Sequence, residues 1–422
     1  MSDYTPRVID TWLDDLQPHL PAVSVYGPKG VGKTATARRR ATSVLKLDDE
    51  LDLERVRADP SVLTSRAGTL LIDEWQRYPE SWDRVRRAVD DGAGPGRFLL
   101  TGSSAPRGAI VHSGAGRIVG ARMRPMSLPE RGLAVPTVSL SGMLTGHAAV
   151  DGETDVVLEQ YVEEIVSSGF PGIRNAPERA RHTLLGAYVE TVVQREFPEQ
   201  GYPVRRPETL LGWLAAYAAA ESSTAKYSEI LDAATPAQGD KPAKTTTIAY
   251  RDALSALWLL DPTPAWMPAG STLNRLSQAP KHHLADPALA THLLQLDVDA
   301  LLAGARRADR PWGGSVLGAL FESLVSLDVK VYAPNLEARV YHVRDRNGLH
   351  EVDLLVQGNG GRLVALEVKL SATVQDADVR HLLWLKNRLG DDLVDMAVVT
   401  TGRHAYRRRD GVAVVPAALL GP

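Results

Sequence analysis

The feature that most constrains this fold is a glycine-rich segment, GPKGVGKT, that follows the apolar run AVSVY and opens a helix-like stretch. It fits the pattern GxxxxGK[ST], in which backbone N–H groups at a helix N-terminus surround phosphate oxygens. In this pattern the lysine neutralises the β- and γ-phosphates and the hydroxyl after it binds magnesium. We therefore predict a nucleotide site, rather than an ordinary glycine-rich turn, formed by Gly27, Pro28, Lys29, Gly30, Val31, Gly32, Lys33 and Thr34, with Thr34 on the metal.

A second apolar run, TLLIDEW, carries Asp73 and Glu74 to the end of a predicted strand. An aspartate at this position completes the magnesium shell, and a glutamate after it can polarise the attacking water. We expect Asp73 to contact the cofactor and its metal, and Glu74 to be catalytic. Without the glycine-rich segment, an exposed acidic pair at a strand end would be the better interpretation.

A third apolar run, RFLLTGSSA, ends in the hydroxyls of Thr101, Ser103 and Ser104. A polar side chain here could sense the γ-phosphate or orient the water, and Ser103 is our candidate. A Ser/Gly turn is the alternative.

Arg117, in GAGRI, is a candidate arginine finger that acts on the nucleotide of a neighbouring copy. This role requires a homo-oligomer, which we therefore expect. A plain surface arginine explains the same residue equally well.

Strands and helices alternate in the first part of the chain and group differently further on. Between Val23 and Arg124, short apolar runs alternate with helical stretches, which is typical of a parallel sheet covered by helices. The runs are AVSVYG, TLLIDE, RFLLTGS and GRIVGARMRP. The sequence from about Ser127 to Tyr202 has mostly helical patterns. Three helix-like runs and a Pro/Trp-rich stretch follow it. From Gly313 we predict a helix, three strands, a helix and one or two further strands, with a hairpin turn at QGNGG.

Two carboxylates and a lysine lie at strand spacing near the C-terminus. Asp353 is in HEVDLLV, and Glu367 and Lys369 in ALEVKL share one strand face. A hairpin would bring Asp353 beside them, and Glu322 on the preceding helix would complete the cluster. Magnesium on Asp353 and Glu367, with Lys369 orienting a bound water, is an arrangement for phosphodiester hydrolysis, with all four residues catalytic. The alternatives are a buried ion pair or polar residues on a wet sheet face.

The three helix-like runs and the Pro/Trp-rich stretch in the middle of the chain fit a winged helix. The run at 245–260 would be its reading helix, with Lys244, Thr246 and Arg251 towards DNA. A helical lid or a dimerisation unit explains the same pattern. The arginine clusters at 38–40 and 407–409 are typical of solvated faces, although the second could hold a phosphate backbone.

Composition limits the classes of protein. The 422 residues contain no cysteine, which excludes disulfides and thiolate metal sites. The longest apolar stretch, 210–220, is too short to span a bilayer, and the N-terminus lacks the apolar core of a signal peptide. We expect a cytoplasmic protein without a membrane partner. The net charge of −3 argues against tight, non-specific coating of DNA but leaves room for a local groove.

Taken together, these segments resemble a bacterial family of AAA-type ATPases whose C-terminal domain, of uncharacterised function, resembles the PD-(D/E)xK nuclease fold. The markers are GPKGVGKT, LIDEWQRYPE, FLLTGSSA, AGRIVGARMRPMSLPE, SGFPG, KHHLADPALA, LFESLV, HEVDLLV and LEVKLS, and they cover nearly the whole chain. The resemblance implies ATP binding at Lys33 and Thr34, with Asp73 and Glu74 as the magnesium and water pair. It also implies a nuclease-like cluster of Glu322, Asp353, Glu367 and Lys369.

The expected fold class is therefore a multidomain α/β chain. It has a P-loop (AAA-like) parallel-sheet core at 1–126, a helical lid at 127–204, a winged-helix-like domain at 205–287, a linker at 288–312 and a restriction-endonuclease-like PD-(D/E)xK domain at 313–422.

Three functions are consistent with these features. The first is an ATP-regulated, magnesium-dependent nuclease acting on DNA, which the intact carboxylate–lysine set favours. The second is a non-cleaving, nucleotide-switched regulator that binds DNA, and the third is a signalling ATPase that binds a protein partner. We expect ATP and Mg²⁺ as cofactors, ATP hydrolysis as the reaction and DNA as the partner, with DNA cleavage as a further expectation.

Overall fold

The computed structural model describes residues 4–103, 114–202, 206–234, 244–267, 279–306, 314–345 and 348–422. Ser104 lies outside these residues, and so does the side chain of Lys244. Among the described residues, no helix is both long and apolar enough to cross a bilayer.

The N-terminal part contains a five-stranded parallel sheet in the order β2-β3-β4-β1-β5. Its strands are β1 (Ala22–Tyr26), β2 (Ser43–Lys46), β3 (Leu70–Asp73), β4 (Phe98–Gly102) and β5 (Ile118–Arg122). Four of them are the predicted apolar runs. The sequence missed β2 because it is an edge strand with only one fully buried residue, so it lacks a continuous apolar run.

Helices cover both faces of this sheet. They are α1 (Val8–Leu16), α2 (Lys33–Arg38), α3 (Glu50–Ala58) and α4 (Glu80–Asp90). Leu71 and Leu99 belong to one apolar cluster, and their neighbours Ile72 and Leu100 belong to another on the opposite face. Burial on both faces explains why the central strands are almost purely apolar until they end.

The segment 127–204 is mostly helical, as expected. It contains α5 (Leu128–Arg131), α6 (Leu140–Thr145), α7 (Leu158–Ser167), α8 (Pro171–Arg174), α9 (Glu178–Thr191), a π-helical turn (Val192–Glu196) and α10 (Phe197–Glu199). It also contains two short strands, β6 (Val138–Ser139) and β7 (Gly152–Glu153), which pair with strands near the C-terminus. Two-residue strands have no readable periodicity, so this connection could not be predicted from sequence patterns.

The middle of the chain has the three predicted helices, α11 (Pro207–Ala219), α12 (Tyr227–Ala233) and α13 (Lys244–Ala256). Two antiparallel bridges, Leu260 to Leu284 and Thr263 to Lys281, follow them. The expected linker at 288–312 is different: its described residues form most of α14 (Pro287–Leu293) and all of α15 (Val298–Arg306). Because α14 is buried over residues 287–291, this stretch is part of the core rather than a free connection.

The C-terminal part begins with α16 (Gly314–Tyr332) and contains α17 (Asp376–Leu389). A seven-stranded mixed sheet has the order β7-β12-β13-β11-β10-β9-β8. Its C-terminal strands are β8 (Arg339–Arg344), β9 (Glu351–Gln357), β10 (Leu363–Val368), β11 (Leu393–Thr400), β12 (His404–Arg407) and β13 (Ala413–Pro416), and β14 (Leu420–Gly421) pairs separately with β6. The predicted hairpin is present, because β9 and β10 pair antiparallel across QGNGG.

One apolar cluster extends through every part of the chain, from Leu13 through Trp213 to Leu420. Across it, the rings of Tyr161 and Phe321 meet edge to face with centroids 5.5 Å apart. The segments are therefore packed on a shared core, so that a change of packing in one segment can affect the others directly.

Candidate nucleotide site and carboxylate–lysine cluster

The glycine-rich loop joins β1 to α2, as predicted. Gly27 and Gly32 have φ values of +146° and +102°, which disfavour residues with a Cβ. A Cβ on Gly27 would also collide with the carbonyl oxygen of Met123. The glycines therefore allow the backbone to turn tightly between the strand and the helix, where a phosphate-binding loop requires it.

Lys33 is the first residue of α2 and is 5% exposed. Its Nζ donates hydrogen bonds to the carbonyl oxygens of Gly27, at 3.0 Å, and Pro28, at 2.8 Å. Burial lowers the pKa of Lys33 to about 8, although Glu74 and other nearby carboxylates oppose the shift. The ammonium is thus held only by neutral groups inside the loop, and phosphate oxygens would be stronger partners.

Thr34 and Asp73, predicted to share a magnesium ion, are in contact. The Thr34 hydroxyl donates to Asp73 Oδ1 at 2.7 Å. The Thr101 hydroxyl, at the end of the neighbouring strand β4, donates to the same oxygen. These oxygens are ligands of the kind that Mg²⁺ prefers, and their position beside Lys33 fits a metal that bridges nucleotide phosphates.

Glu74 follows β3 in the left-handed conformation, with φ 53°. Its carboxylate accepts a hydrogen bond from Gln76, whose amide also donates to the Ser103 hydroxyl at 3.3 Å. Burial raises the pKa of Glu74. Ser103 thus reaches Glu74 through Gln76, a residue that sequence analysis missed because no spacing rule singles it out.

Arg7 is a second residue that sequence analysis missed. It is buried, donates to the carbonyl oxygen of Val31 in the loop at 2.7 Å, and lies 3.1 Å from Glu130 through its Nε. A buried arginine that contacts loop backbone supports the conformation of the loop. Because these partners are far apart in the sequence, only the tertiary structure identifies the contact.

Arg117, the candidate finger, lies in an ion pair of its own chain. Its Nε is 2.8 Å from Asp90 Oδ1, and its side chain is 45% exposed. An exposed pair of this kind contributes little to stability, so the guanidinium is not committed to Asp90.

A cleft of about 260 Å³ lies next to the nucleotide-site residues and has walls from three parts of the chain. Lys29, Glu74 and Ser103 come from the N-terminal part, Glu196 follows α9, and Leu257 follows α13. Lys29 Nζ is 3.3 Å from Glu196 Oε1 across the cleft. Glu196 and Leu257, which follow α9 and α13, would therefore contact a molecule bound in the cleft.

The predicted carboxylates and lysine near the C-terminus also come together. Lys369 Nζ donates to Glu367 Oε1 at 2.8 Å, although Lys369 lies one residue past the end of β10. Asp353 lies on the paired strand, where its Oδ2 accepts from the backbone N–H of Val368 at 2.9 Å. Glu322 faces this region from α16.

A further lysine, missed by the sequence analysis, lies in the middle of these carboxylates. Lys281 Nζ donates to Glu322 Oε1 and Asp353 Oδ1, both at 2.7 Å, and is 3.0 Å from Glu351 Oε1. The Lys281 side chain is only 2% exposed. We refer to Lys281, Glu322, Glu351 and Asp353 as the Lys281 cluster. The lysine was visible only as the first letter of KHHLADPALA, far in sequence from its partners.

This arrangement does not fit the predicted magnesium on Asp353 and Glu367. An ammonium already lies among the carboxylates, and a divalent ion there would be repelled by it. Glu367 Oε2 is a buried oxygen without a hydrogen-bond partner, but a single oxygen does not make a metal site. In the part of the chain that the structure describes, no group of three or more His, Asp or Glu residues could hold a metal ion.

The electrostatics agree with a locked ammonium. Burial disfavours the charge on Lys281, but Asp353 and the two glutamates outweigh it and hold the pKa of Lys281 well above its ordinary value. Burial, together with Asp353, raises the pKa of Glu322 to about 8. The same two causes raise the pKa of Glu367 to about 8. The pKa of Asp353 falls below its usual value, since Lys281 overcomes the effect of burial.

A second polar network connects the nucleotide-binding part to the chain around Lys281. Asp261 lies 2.9 Å from Arg122 and 2.7 Å from Arg124, at and just after the end of β5. The ring of Trp258 packs 4.6 Å from that of Tyr26, the last residue of β1. Two residues after Asp261, Thr263 forms a β-bridge with Lys281. A continuous series of contacts therefore connects the P-loop strand β1 to the Lys281 cluster.

The arginines expected to meet DNA are largely paired within the chain. Arg407 forms a two-pronged contact with Asp395, and Arg408 contacts Asp376 and Asp410. On α13, Arg251 contacts its neighbour Asp252 and lies over the ring of Tyr227. Thr246 is half-buried on the same helix.

A phosphate-binding loop after β1 of a parallel sheet, with Asp73 at the end of β3 on the far side of β4, is typical of a P-loop nucleotide-binding domain. In agreement, residues 19–131 match a family described as an AAA domain. The loop and this match together support an AAA-type P-loop domain in the N-terminal part, a class for which nucleotide binding and hydrolysis are characteristic. Residues 158–300 and 317–420 match two families described as domains of unknown function, DUF8612 and DUF4143. The second match gives no support to a nuclease fold.

The chain is similar to the uncharacterized proteins Rv2008c of Mycobacterium tuberculosis and Mb2031c of Mycobacterium bovis. Each is 28% identical over 411 residues, which cover 94% of this chain and 80% of the relative. A solved structure of a Thermotoga maritima RuvB mutant matches 61% of this chain and 88% of its own at 16% identity. Its TM-score of 0.25 is too low to support an argument about the fold.

Proposed function

We propose that this protein binds and hydrolyses ATP with Mg²⁺, and that its nucleotide state controls DNA binding by the middle of the chain. The observation that carries the proposal is the meeting of Lys33, Thr34, Asp73 and Glu74 at one edge of the parallel sheet. When bound, Mg²⁺ would supply charge neutralisation for the phosphates, and Thr34 and Asp73 would hold it.

The roles of the remaining side chains follow from their contacts. Lys33 would exchange its carbonyl partners for phosphate oxygens. Glu74 would orient the attacking water and accept its proton, and Gln76 would link that carboxylate to Ser103 at the end of β4. Arg117 is our proposed finger in trans within a homo-oligomer.

Coupling to the middle of the chain is supported by the walls of the cleft. Leu257 lines it, and the next residues, Trp258 and Asp261, contact Tyr26, Arg122 and Arg124. A nucleotide that moved the end of β5 would therefore shift the chain between α13 and Lys281.

DNA is proposed as the partner because α11, α12 and α13, followed by antiparallel bridges, have the order of elements in a winged helix. Thr246 and Arg251 on α13 remain our candidates for DNA contact. We do not extend the proposal to DNA cleavage, because Lys281 lies where the magnesium would bind.

The test compares wild type with Lys33→Ala and Glu74→Gln in two assays: ATP hydrolysis, and fluorescence anisotropy of a labelled duplex. Wild type should hydrolyse ATP, and Glu74→Gln should hold ATP without turnover. Duplex affinity should differ between ATP-bound Glu74→Gln and ADP-bound wild type, and should fall with salt. An absence of ATP turnover in wild type would contradict the proposed ATP hydrolysis. Equal duplex affinity in the ATP-bound and ADP-bound states would contradict the proposed control of DNA binding by the nucleotide.

A second candidate is a nucleotide-switched regulator that binds a protein partner. It is favoured by the pairing of Arg407 and Arg408 with carboxylates of their own chain, which leaves less free positive charge for a phosphate backbone. ATP hydrolysis without any duplex binding at low salt would favour this candidate.

A further inference from the structure

The cation of the Lys281 cluster is part of the polypeptide. Lys281 enters from the bridge that follows α13, whereas its partners come from α16 and β9. The three carboxylates surround one ammonium with N–O distances of 2.7, 2.7 and 3.0 Å. An ammonium has three donors, and each has a carboxylate oxygen within reach.

Such a cluster is held together by its cation. Three acidic groups near one another in a buried place cannot all ionise unless a positive charge lies between them, which agrees with the raised pKa of Glu322. A divalent metal normally has this role among acidic side chains of a sheet, and here an ammonium has the position. The backbone N–H of Val368 holds the other oxygen of Asp353, so that carboxylate has both oxygens engaged, and Lys369 holds one oxygen of Glu367.

We propose that the Lys281 ammonium takes the place of a divalent cation among these carboxylates. The fold of the C-terminal domain then requires no metal ion, and the ion pairs of Lys281 bind the segment around residue 281 to the sheet of that domain. In this state the domain cleaves no phosphodiester bond. The inference depends only on the Lys281 cluster, so it stands or falls separately from ATP hydrolysis.

The experiment uses the full chain without nucleotide and asks whether Mn²⁺ can replace the lysine. Thermal unfolding is followed with and without Mn²⁺ for wild type, Lys281→Ala and Lys330→Ala. Lys330 is the matched control, because it is also a buried lysine, and the ion pair that the described residues give it is a single one, with Asp261 at 4.0 Å. Both variants should melt below wild type, since each loses a buried charge partner.

Lys281→Ala should respond more strongly to the metal than the other two proteins. Saturating Mn²⁺ should raise its melting temperature by roughly 2 °C or more beyond theirs, because a cation that binds only the folded state stabilises it. Mn²⁺ held at the P-loop would stabilise all three proteins equally, so the test is the excess rise of Lys281→Ala over wild type and Lys330→Ala, which should respond alike. A folded Lys281→Ala protein that Mn²⁺ stabilises no more than wild type would overturn the proposal.

Wild type provides a second test that does not need the variant to fold. Wild type and Asp353→Asn are titrated with Mn²⁺, and the electron paramagnetic resonance signal of free Mn²⁺ measures how much is bound. The two proteins should bind the same number of Mn²⁺ ions. Thr34→Ala serves to identify any ion held at the P-loop. Mn²⁺ bound by wild type but not by Asp353→Asn, or plasmid cleavage with the same dependence, would show that a metal displaces Lys281 and would refute the inference.

Discussion

Lys33 and Lys281 are both buried lysines with carboxylates nearby, but their partners differ in kind. Lys33 donates to two backbone carbonyls, and burial lowers its pKa to about 8. Lys281 donates to Glu322 and Asp353, which with Glu351 hold its pKa well above the ordinary value. A buried lysine is therefore available to a ligand when its partners are neutral and committed to the fold when they are charged.

The same contrast explains the chemistry expected at each place. A phosphate can compete with the carbonyls around Lys33, because an ionic hydrogen bond is stronger than a neutral one. No ligand from solvent competes easily with three carboxylates around Lys281, because breaking that contact leaves buried charges without partners.

The largest expected effect is on stability. Lys281→Met should lower the free energy of unfolding by about 3–5 kcal/mol, because it leaves a buried carboxylate cluster without its cation. Lys33→Met should change it by less than about 1 kcal/mol, because only neutral partners are lost. Urea denaturation of the two variants measures both values. Equal losses would remove the distinction between the two lysines, whereas adding Glu322→Gln to Lys281→Met should recover part of the loss.

The next effect is on catalysis. Glu74→Gln should slow ATP hydrolysis by about 100-fold or more, which is the usual contribution of a general base. Its ATP affinity should stay close to that of wild type, because no phosphate contact is removed. Single-turnover hydrolysis and equilibrium binding of labelled ATP separate the two quantities. Glu351→Gln, in the Lys281 cluster, is the control and should leave hydrolysis unchanged; slower hydrolysis in that variant would link the two regions chemically.

A smaller effect is expected on nucleotide affinity. Lys33→Ala should weaken ATP binding by about 30-fold, equivalent to about 2 kcal/mol for a charged hydrogen bond to phosphate. Isothermal titration with Mg²⁺ and ATP measures the change. Lys330→Ala, a buried lysine outside the P-loop, should bind ATP as wild type does, and a similar loss there would show a general structural effect.

The smallest effect is a pH dependence. Because the pKa of Lys33 is about 8 in the free protein and phosphate favours its charged form, ATP affinity should fall above pH 8, by up to about tenfold per pH unit. Lys33→Arg, which stays charged, should not show this fall. The measurement is the ATP affinity of both proteins from pH 8 to 9.5. An ATP affinity of wild type that does not change with pH would mean that Lys33 keeps its proton.

The stability of the nucleotide-free protein should respond in the opposite sense. Between about pH 8 and the ordinary lysine pKa, the unfolded chain binds a proton that folded Lys33 has lost, so Lys33 contributes a rise in stability with pH. Lys281, with a raised pKa, keeps its contribution through this window and loses it only at higher pH.

Sequence analysis predicted the nucleotide site better than the C-terminal cluster, and the reason is distance along the chain. The residues from Gly27 to Thr34 lie in one turn, and Asp73 follows an apolar run whose end is readable. Glu367 and Lys369 are in contact, although Lys369 lies one residue past the end of β10 rather than on the strand itself. Arg7, Gln76 and Lys281 obey no such local rule, and all three were missed.

Sequence patterns were enough to predict the parallel sheet, the phosphate-binding loop and the β9–β10 hairpin, because each depends on apolar runs and glycine positions within a few tens of residues. What surrounds the carboxylates depends instead on contacts between distant parts of the chain. Lys281 is 41 residues from Glu322 and 72 from Asp353 in the chain, and packing on the shared core brings them within hydrogen-bonding distance. A metal site and an ammonium site use the same acidic residues, so the choice between them depends on which cation the fold delivers.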